Sequence, residues 1–171
     1  MGIRLFLSAC LALLALGAAW AEKGSKAEGS QPEIHYAPRE NLEGLYVGHE
    51  YYIQIDDDPH AVAMASGVNT RQGSRRLLEF AFEHAVATGR KKVTIVHKAN
   101  IMKILTGIFL EAGQELYERK YKGRFVLETI IIDACAMKLV LNPWQFDVLV
   151  TTNLFGDILS DLVAGLVGGL G

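Results

Sequence analysis

The chain has 171 residues, which is enough for one domain with a sizeable hydrophobic core. Half of its residues are apolar and about a fifth are charged, a balance that excludes an intrinsically disordered chain. Its formal net charge is −2, and no cluster of lysine and arginine forms a basic patch, so the sequence predicts neither a nucleic-acid partner nor attraction to an anionic membrane.

The N-terminal segment differs in composition from the rest of the chain. Arg4 precedes an apolar run from Leu5 to Ala19, and small residues lead to a cleavage point between Ala21 and Glu22. This pattern predicts a secretory signal peptide over residues 1–21, and therefore a periplasmic or extracellular mature chain without a membrane segment. The alternatives are an uncleaved anchor and an error in the gene model.

The two cysteines support a different location. Cys10 lies in the predicted signal peptide, so the mature chain retains only Cys135 and cannot form an internal disulfide. The mature chain therefore looks like an intracellular protein behind an export signal. Residues 22–38 are polar and predict a linker, and residues 39–171 predict the folded domain.

The domain begins with a predicted β arm. Residues 46–55 mix aromatic and β-branched side chains as strands do, and the segment Asp56-Asp57-Asp58-Pro59 interrupts them. Residues 61–68 are predicted to form the second strand of this hairpin-like arm.

Strands and helices then alternate, which predicts an α/β layered domain with a mostly parallel sheet. Thr70 is the predicted N-cap of the first helix, whose exposed side carries charged residues, and Gly89 is its predicted stop. The predicted elements are a helix over 70–88, a strand over 92–97, a helix to about residue 120, a strand over 125–132, a helix over 134–141, a strand over 146–151 and a helix over 157–167.

Two aspartates at the start of the last helix suggest a metal site. Asp157 and Asp161 are four residues apart and follow an apolar strand, so both carboxylates project from one helical face at the carboxyl edge of the sheet. Carboxylates without a neighbouring His or Cys suit a hard ion such as Mg²⁺ or Mn²⁺. The alternative is that Asp157 caps the helix and Asp161 is a solvated acid.

Two further charged residues follow predicted strands. Asp133 ends a strand of three isoleucines, where it either caps the next helix or adds a third carboxylate to the same edge. Lys98 follows the buried strand that ends at His97, and it either acts as a base or lies with its ammonium in water at the strand end. We interpret His97 as structural.

Arg39, before the arm, and Tyr46, at its start, have side chains that a substrate site could use. An arginine can bind a carboxylate through two hydrogen bonds, and a tyrosine hydroxyl can donate a proton. Considered alone, each residue is equally well explained without a functional role, Arg39 as an arginine in a loop and Tyr46 as a tyrosine in a strand. The glycines at 168, 169 and 171 do not form a dinucleotide-binding fingerprint, because no strand leads into them, and they predict the end of a helix.

In combination these segments resemble the isocitrate/isopropylmalate dehydrogenase family, and within it the NAD-type isocitrate dehydrogenases. The resemblance spans residues 39–171. It is strongest in Phe146 to Gly171 and is also carried by Arg39 to Tyr46, Val93 to Lys103 and Ile132 to Leu139.

The resemblance implies a role for each candidate residue. Arg39 and Asn100 would bind the substrate, with Asn100 in contact with substrate or nicotinamide. Lys98 would take the proton from the substrate hydroxyl, and Tyr46 would protonate the enol that remains after CO₂ leaves. The implied reaction is the oxidative decarboxylation of isocitrate, or of a related 2-hydroxy acid, with NAD. NADP is the alternative cofactor, and the resemblance implies the cytoplasm or the mitochondrion as the alternatives to export.

The resemblance also implies a metal ion and a homodimer with a shared site. Asp133, Asp157 and Asp161 would hold Mg²⁺ or Mn²⁺, with Lys98 and Asp133 serving the neighbouring subunit. The last helix is apolar around much of its circumference, which independently predicts a covering partner.

The chain also departs from the family pattern. Residues 32–38 replace the apolar strand expected before Arg39, and neither the nucleotide-fold half that normally precedes it nor the adenosine-binding segment that follows is matched. We therefore expect no NAD reduction by these 171 residues alone, since orienting the reactants is worth roughly 7–11 kcal/mol. The alternatives are a non-catalytic family member that dimerises or binds metal, a truncated gene behind a foreign signal, and an enzyme like 3-isopropylmalate dehydrogenase.

Overall fold

The computed structural model of the protein describes residues 35–36 and 42–168. The predicted signal peptide, most of the predicted linker and Arg39 lie outside these residues. Within the described part, no helix combines the length and the apolar character needed to span a membrane.

The described elements follow the predicted alternation of strands and helices. The strands are β1 (His35–Tyr36), β2 (Gly44–Ile55), β3 (Asp58–Val68), β4 (Lys92–His97), β5 (Val126–Ile131) and β6 (Val148–Thr151). The α-helices are α1 (Arg71–Ala87), α2 (Gly107–Leu116), α3 (Ile132–Leu141) and α4 (Asn153–Leu166), with a π-helical turn at Tyr117–Tyr121 and a 3₁₀ turn at Pro143–Gln145.

Four strands form a parallel sheet in the order β1-β6-β4-β5. The sequence Lys-Val-Thr-Ile-Val-His of β4 is rich in β-branched residues, and its four inner residues are buried because helices cover both faces of the sheet. Val93 of β4 pairs with Leu127 on one side and with Val148 on the other. This central position explains why β4 is a continuous apolar run rather than an alternating one.

The helices form a layer on each face of the sheet. On one face, α1 and α2 pack over Val93 and Ile95 of β4, with Phe82 and Phe109 buried between them. On the other face, α3 and α4 pack over Val96, with Cys135 and Leu159 in their core. The result is a three-layer α/β/α arrangement, which confirms the predicted α/β fold with a parallel sheet.

The predicted β arm is confirmed as an antiparallel pair of β2 and β3, in which Tyr51 pairs with Met64. Most residues of both strands are exposed. The second strand begins at Asp58 and not at the predicted residue 61, because a two-stranded ribbon has open edges at which Pro59 is tolerated.

The ends of α1 are those that the sequence predicts. The Thr70 hydroxyl accepts a hydrogen bond from the backbone N–H of Gly73 at 3.0 Å, which caps the helix. Gly89 follows the C-cap with φ +68°, a left-handed conformation that favours glycine.

The starts of the three other helices differ from prediction. The helix after β4 begins at Gly107, behind a run of turns, and its last part is the π-helical turn. α3 begins at Ile132 and α4 at Asn153, two and four residues before the predicted starts. These earlier starts change the surroundings of the two aspartates that the sequence places at helix caps.

Candidate functional site

The carboxyl ends of the three longer parallel strands define the edge at which the predicted residues lie. β4 ends at His97, β5 at Ile131 and β6 at Thr151. From β4 the chain moves to β5 on one side and then returns to β6 on the other, which makes the end of β4 a topological switch point. Sheets of this kind bind ligands in the crevice at such a point.

Lys98 and Asp133 meet at this edge. His97 pairs with Ile131 in the parallel ladder, so the residues that follow them are neighbours. The Lys98 ammonium donates a hydrogen bond to Oδ1 of Asp133 at 2.5 Å, with the Lys98 side chain 25% exposed and that of Asp133 59% exposed. The hydrogen bond from Lys98 holds the pKa of the Asp133 carboxyl below its usual range.

The loop that carries Lys98 is fixed by its own hydrogen bonds. The backbone N–H of Lys98 donates to the hydroxyl of Thr106 at 3.2 Å, and this buried hydroxyl donates to the Met102 carbonyl at 3.1 Å. The turn beyond Lys98 therefore has a defined backbone, on which Asn100 is exposed.

Asp133 does not cap α3, so the cap interpretation is wrong. The N-cap position is Ile131, and Asp133 lies within the first turn. From the first turn the carboxylate interacts favourably with the helix dipole, and it accepts hydrogen bonds both from Lys98 and from its own backbone N–H.

Asp157 does not cap α4 either, and this cap interpretation is also wrong. Thr152 is the N-cap residue and α4 begins at Asn153, so Asp157 lies one turn inside the helix. Asp161 is exposed one turn further along. Their spacing places both carboxylates on one helical face, about 5–6 Å apart at Cβ.

A divalent ion that prefers oxygen ligands fits the chemistry of these two carboxylates. Among residues 35–36 and 42–168, no three His, Cys, Asp or Glu side chains converge on a point that could hold a metal ion. Asp133 follows β5 while Asp157 follows β6, and β4 lies between these two strands. Two strand spacings correspond to about 10 Å, so the strand order itself separates the carboxylates.

Tyr46 lies on the arm near its junction with the domain. It is the third residue of β2 and is 56% exposed. It directly follows Leu45, which lines a small pocket between the base of the arm and the starts of α2 and α4. The pocket is lined by Gly44, Leu45, Asn69, Met102, Leu105, Thr106, Thr152, Leu154 and Phe155.

Two polar residues at the base of the arm were missed by reasoning from the sequence. The carboxylate of Glu43 accepts a hydrogen bond from the backbone N–H of Thr70 at 2.7 Å. The buried Asn153 amide donates to the Glu43 carbonyl at 3.3 Å. Both residues belong to segments that carry the family resemblance, but the contact joins positions 110 residues apart in sequence, and no local pattern reveals it.

Comparisons with known proteins cover the same region. A family model described as isocitrate/isopropylmalate dehydrogenase matches residues 34–171. The homoisocitrate dehydrogenase of Methanocaldococcus jannaschii is 47% identical over 133 residues, which are 78% of this chain and 36% of that protein. The beta subunit of the mitochondrial NAD isocitrate dehydrogenase of Macaca fascicularis is 48% identical over 133 residues, 78% of this chain and 33% of that protein.

A solved structure agrees with the fold. The crystal structure of isocitrate dehydrogenase from Methylococcus capsulatus has a TM-score of 0.75 and 48% identity, covering 84% of this chain and 41% of that chain. The chain spans about a third of the length of the curated relatives described above.

Proposed function

We propose, because this chain belongs to the isocitrate/isopropylmalate dehydrogenase family, that it takes part in the metal-dependent oxidative decarboxylation of isocitrate, or of a related 2-hydroxy acid, with NAD. The observation that carries the proposal is the contact of Lys98 with Asp133 at the switch point of the parallel sheet. A cation and an anion in contact at this edge are suited to proton transfer and to binding a charged substrate.

Each proposed role uses a group that can perform it. In its neutral amine form, Lys98 would take the proton of the substrate hydroxyl, and a bound nicotinamide would supply the hydride acceptor. Tyr46, exposed at the base of the arm, returns a proton to the enol carbon after CO₂ departs. Arg39, which lies outside the described residues, and Asn100 bind the polar groups of the substrate.

Asp157 and Asp161 would hold a Mg²⁺ or Mn²⁺ ion together with the partner subunit's Asp133. When bound, such an ion would polarise the substrate oxygen and stabilise the negative charge that develops there. Carboxylate oxygens suit a hard ion of this kind better than an ion that prefers sulfur or imidazole.

A homodimer with shared sites is supported by the separation of the carboxylates within one chain. Lys98 and Asp133 contact each other, and we assign both to the site of the neighbouring chain. Asp157 and Asp161 lie one turn apart on α4, and we assign them to the site of their own chain. Association of two chains would join the two halves of this site.

Isocitrate is the proposed substrate because the segment from Arg39 to Tyr46 is more similar to the isocitrate branch of the family. Overall identity does not discriminate, because the homoisocitrate and isocitrate relatives are 47% and 48% identical. A 3-isopropylmalate substrate is the alternative. Rates with isocitrate, homoisocitrate and 3-isopropylmalate, compared under the same conditions, would identify the substrate.

The test of the reaction is Mn²⁺-dependent NADH formation by the purified protein, set against the expectation that these 171 residues alone show none. Removing a general base lowers a rate by roughly 10²–10⁴-fold, so Lys98→Ala should remove any turnover that the wild type shows, while Lys103→Ala, an exposed lysine on the same loop, leaves that rate unchanged. Equal and measurable rates for wild type and Lys98→Ala would contradict the assigned base. Mn²⁺ binding without turnover in the wild type would favour the second candidate, a non-catalytic member of the family.

A further inference from the structure

Glu43 connects the arm to the first helix of the domain. It lies immediately before β2, three residues before Tyr46. Its carboxylate accepts two hydrogen bonds, one from the backbone N–H of Thr70 at 2.7 Å and one from the Thr70 hydroxyl. Because the same hydroxyl accepts from the N–H of Gly73, the N-cap of α1 and the Glu43 carboxylate form one continuous hydrogen-bonded unit.

Gly73 provides the space that this carboxylate occupies. A Cβ atom at position 73 would lie 2.5 Å from Oε1 of Glu43 and 2.7 Å from its carboxyl carbon. No side chain larger than that of glycine is compatible with the present position of the carboxylate. The first turn of α1 therefore accommodates the Glu43 carboxylate only because position 73 is glycine.

The backbone of Glu43 contacts a different helix. Its carbonyl accepts a hydrogen bond at 3.3 Å from the amide of Asn153, a buried residue that begins α4. Since α1 and α4 cover opposite faces of the sheet, Glu43 joins both helical layers at the carboxyl edge. We call the set of Glu43, Thr70, Gly73 and Asn153 the Glu43 junction.

We propose that Glu43 is a positioning residue, which fixes the base of the arm, and with it Tyr46, relative to the first two turns of α4. The arm is exposed along most of both strands, so its direction depends on the contacts at its base. The inference rests on the proposed function only for the roles of Tyr46 and Asp157. The geometry of the junction does not depend on those roles.

A purely structural role for Glu43 makes a different prediction. If Glu43 only completed the cap of α1, its removal would lower the stability of the protein and leave the distance from Tyr46 to α4 unchanged. A positioning role predicts that the distance changes or becomes heterogeneous while α1 and the sheet remain folded. The decisive measurement is therefore a distance and not a melting temperature.

The distance can be measured without metal or substrate. A nitroxide is attached at Ile158→Cys, an exposed position next to Asp157 on α4, in a Cys10→Ser background that keeps the buried Cys135. The probe is the fluorine resonance of 3-fluorotyrosine at position 46, assigned with Tyr46→Phe. Labelled chains are diluted into an excess of unlabelled chains, so that the paramagnetic broadening reports the distance within one chain.

We expect Glu43→Ala to reduce the broadening of the Tyr46 resonance several-fold, with the circular dichroism of the folded protein retained. Glu43→Gln should keep the broadening of the wild type, because the amide oxygen can still accept a hydrogen bond from Thr70. Gly73→Ala should reproduce the loss, because its methyl group displaces the carboxylate from the opposite side. Glu50→Ala, at an exposed glutamate further along β2, is the matched control and should have no effect.

Equal broadening in Glu43→Ala, Gly73→Ala and Glu50→Ala would overturn the positioning role. The proposed function is tested separately, by broadening of the Tyr46 resonance by Mn²⁺ in protein without the nitroxide. If Mn²⁺ leaves this resonance unchanged while Glu43→Ala alters the nitroxide effect, the site assignment fails and the positioning role stands.

Discussion

At the scale of single residues, burial changes the proton affinity of a titratable group at the end of β4, the imidazole of His97. Burial lowers the pKa of its imidazole, and the backbone N–H of Ala99 donates to Nδ1 at 3.0 Å. Protonation of this nitrogen would break that hydrogen bond. The unfolded chain therefore takes up a proton at a higher pH than the folded chain does.

We predict that the protein loses stability as the pH falls from about 6.5, the ordinary histidine pKa, towards the lowered pKa of folded His97. His97→Gln should flatten this part of the stability profile, because the group responsible for the proton uptake is gone. Urea unfolding on both sides of that pH measures the slope. His49→Gln, at an exposed histidine of the arm, is the control, and an unchanged slope in His97→Gln would contradict the assignment.

Cys135 is a second residue whose chemistry depends on burial. Its side chain is fully buried between α3 and the sheet, and burial raises the pKa of the thiol to about 12. Because the thiolate is the reactive species, we predict slow reaction of Cys135 with an aromatic disulfide reagent in the native protein and rapid reaction in urea. Reaction of this thiol at the same rate in both states would show that α3 does not cover it.

At the scale of elements, the packing of α2 depends on a single glycine. A Cβ atom at Gly113 would lie 2.4 Å from Cδ1 of Ile95 in β4 and 3.2 Å from Leu78 in α1. We predict that Gly113→Ala destabilises the protein by about 1–3 kcal/mol, the typical cost of overpacking a core. The free energy of unfolding in urea measures the effect.

Gly107 at the start of the same helix is the matched control. A Cβ atom there meets nothing within 4 Å, so Gly107→Ala should leave stability unchanged or raise it by up to about 1 kcal/mol through the better helix propensity of alanine. If both substitutions destabilised the protein equally, contact with β4 would not explain the loss.

At the scale of the whole molecule, many of the exposed apolar side chains among the described residues lie on two surfaces. On the domain they lie on α3 and α4 and in the turns that follow these helices, and on the arm they lie along both strands. The members are Met137, Val140, Leu141, Trp144, Ile158 and Val167 on the domain, and Tyr51, Tyr52, Ile53, Ile55 and Met64 on the arm. Exposed apolar surface of this extent favours association with a further chain.

We predict that Mn²⁺ binds weakly and shifts the protein from monomer towards dimer, because an ion that prefers a site built from two chains stabilises the assembly by mass action. Sedimentation with and without Mn²⁺ measures the shift. Asp133→Asn and Asp157→Asn should each remove the metal dependence. If either variant dimerised with the same response to Mn²⁺ as the wild type, the proposal of a site shared between subunits would be wrong.

The amino-acid sequence by itself was sufficient for the type and order of most elements. Local signals account for this, because each depends only on residues a few positions away along the chain. They include the β-branched run of β4, the Thr70 cap and the Gly89 stop. The family resemblance likewise depends on the identity and spacing of residues along the chain, so it needs no knowledge of contacts. Local signals also placed Lys98 and Asp133 at the ends of their strands.

Only the tertiary structure decided which of these residues meet. The parallel pairing of His97 with Ile131 brings Lys98 onto Asp133, and the position of β4 between β5 and β6 keeps Asp133 from the carboxylates of α4. The start of α4 at Asn153 is another outcome of long-range contact, since the amide of this residue binds the carbonyl of Glu43. Strand order and side-chain contacts across a hundred residues depend on packing of the whole domain, which local sequence patterns do not encode.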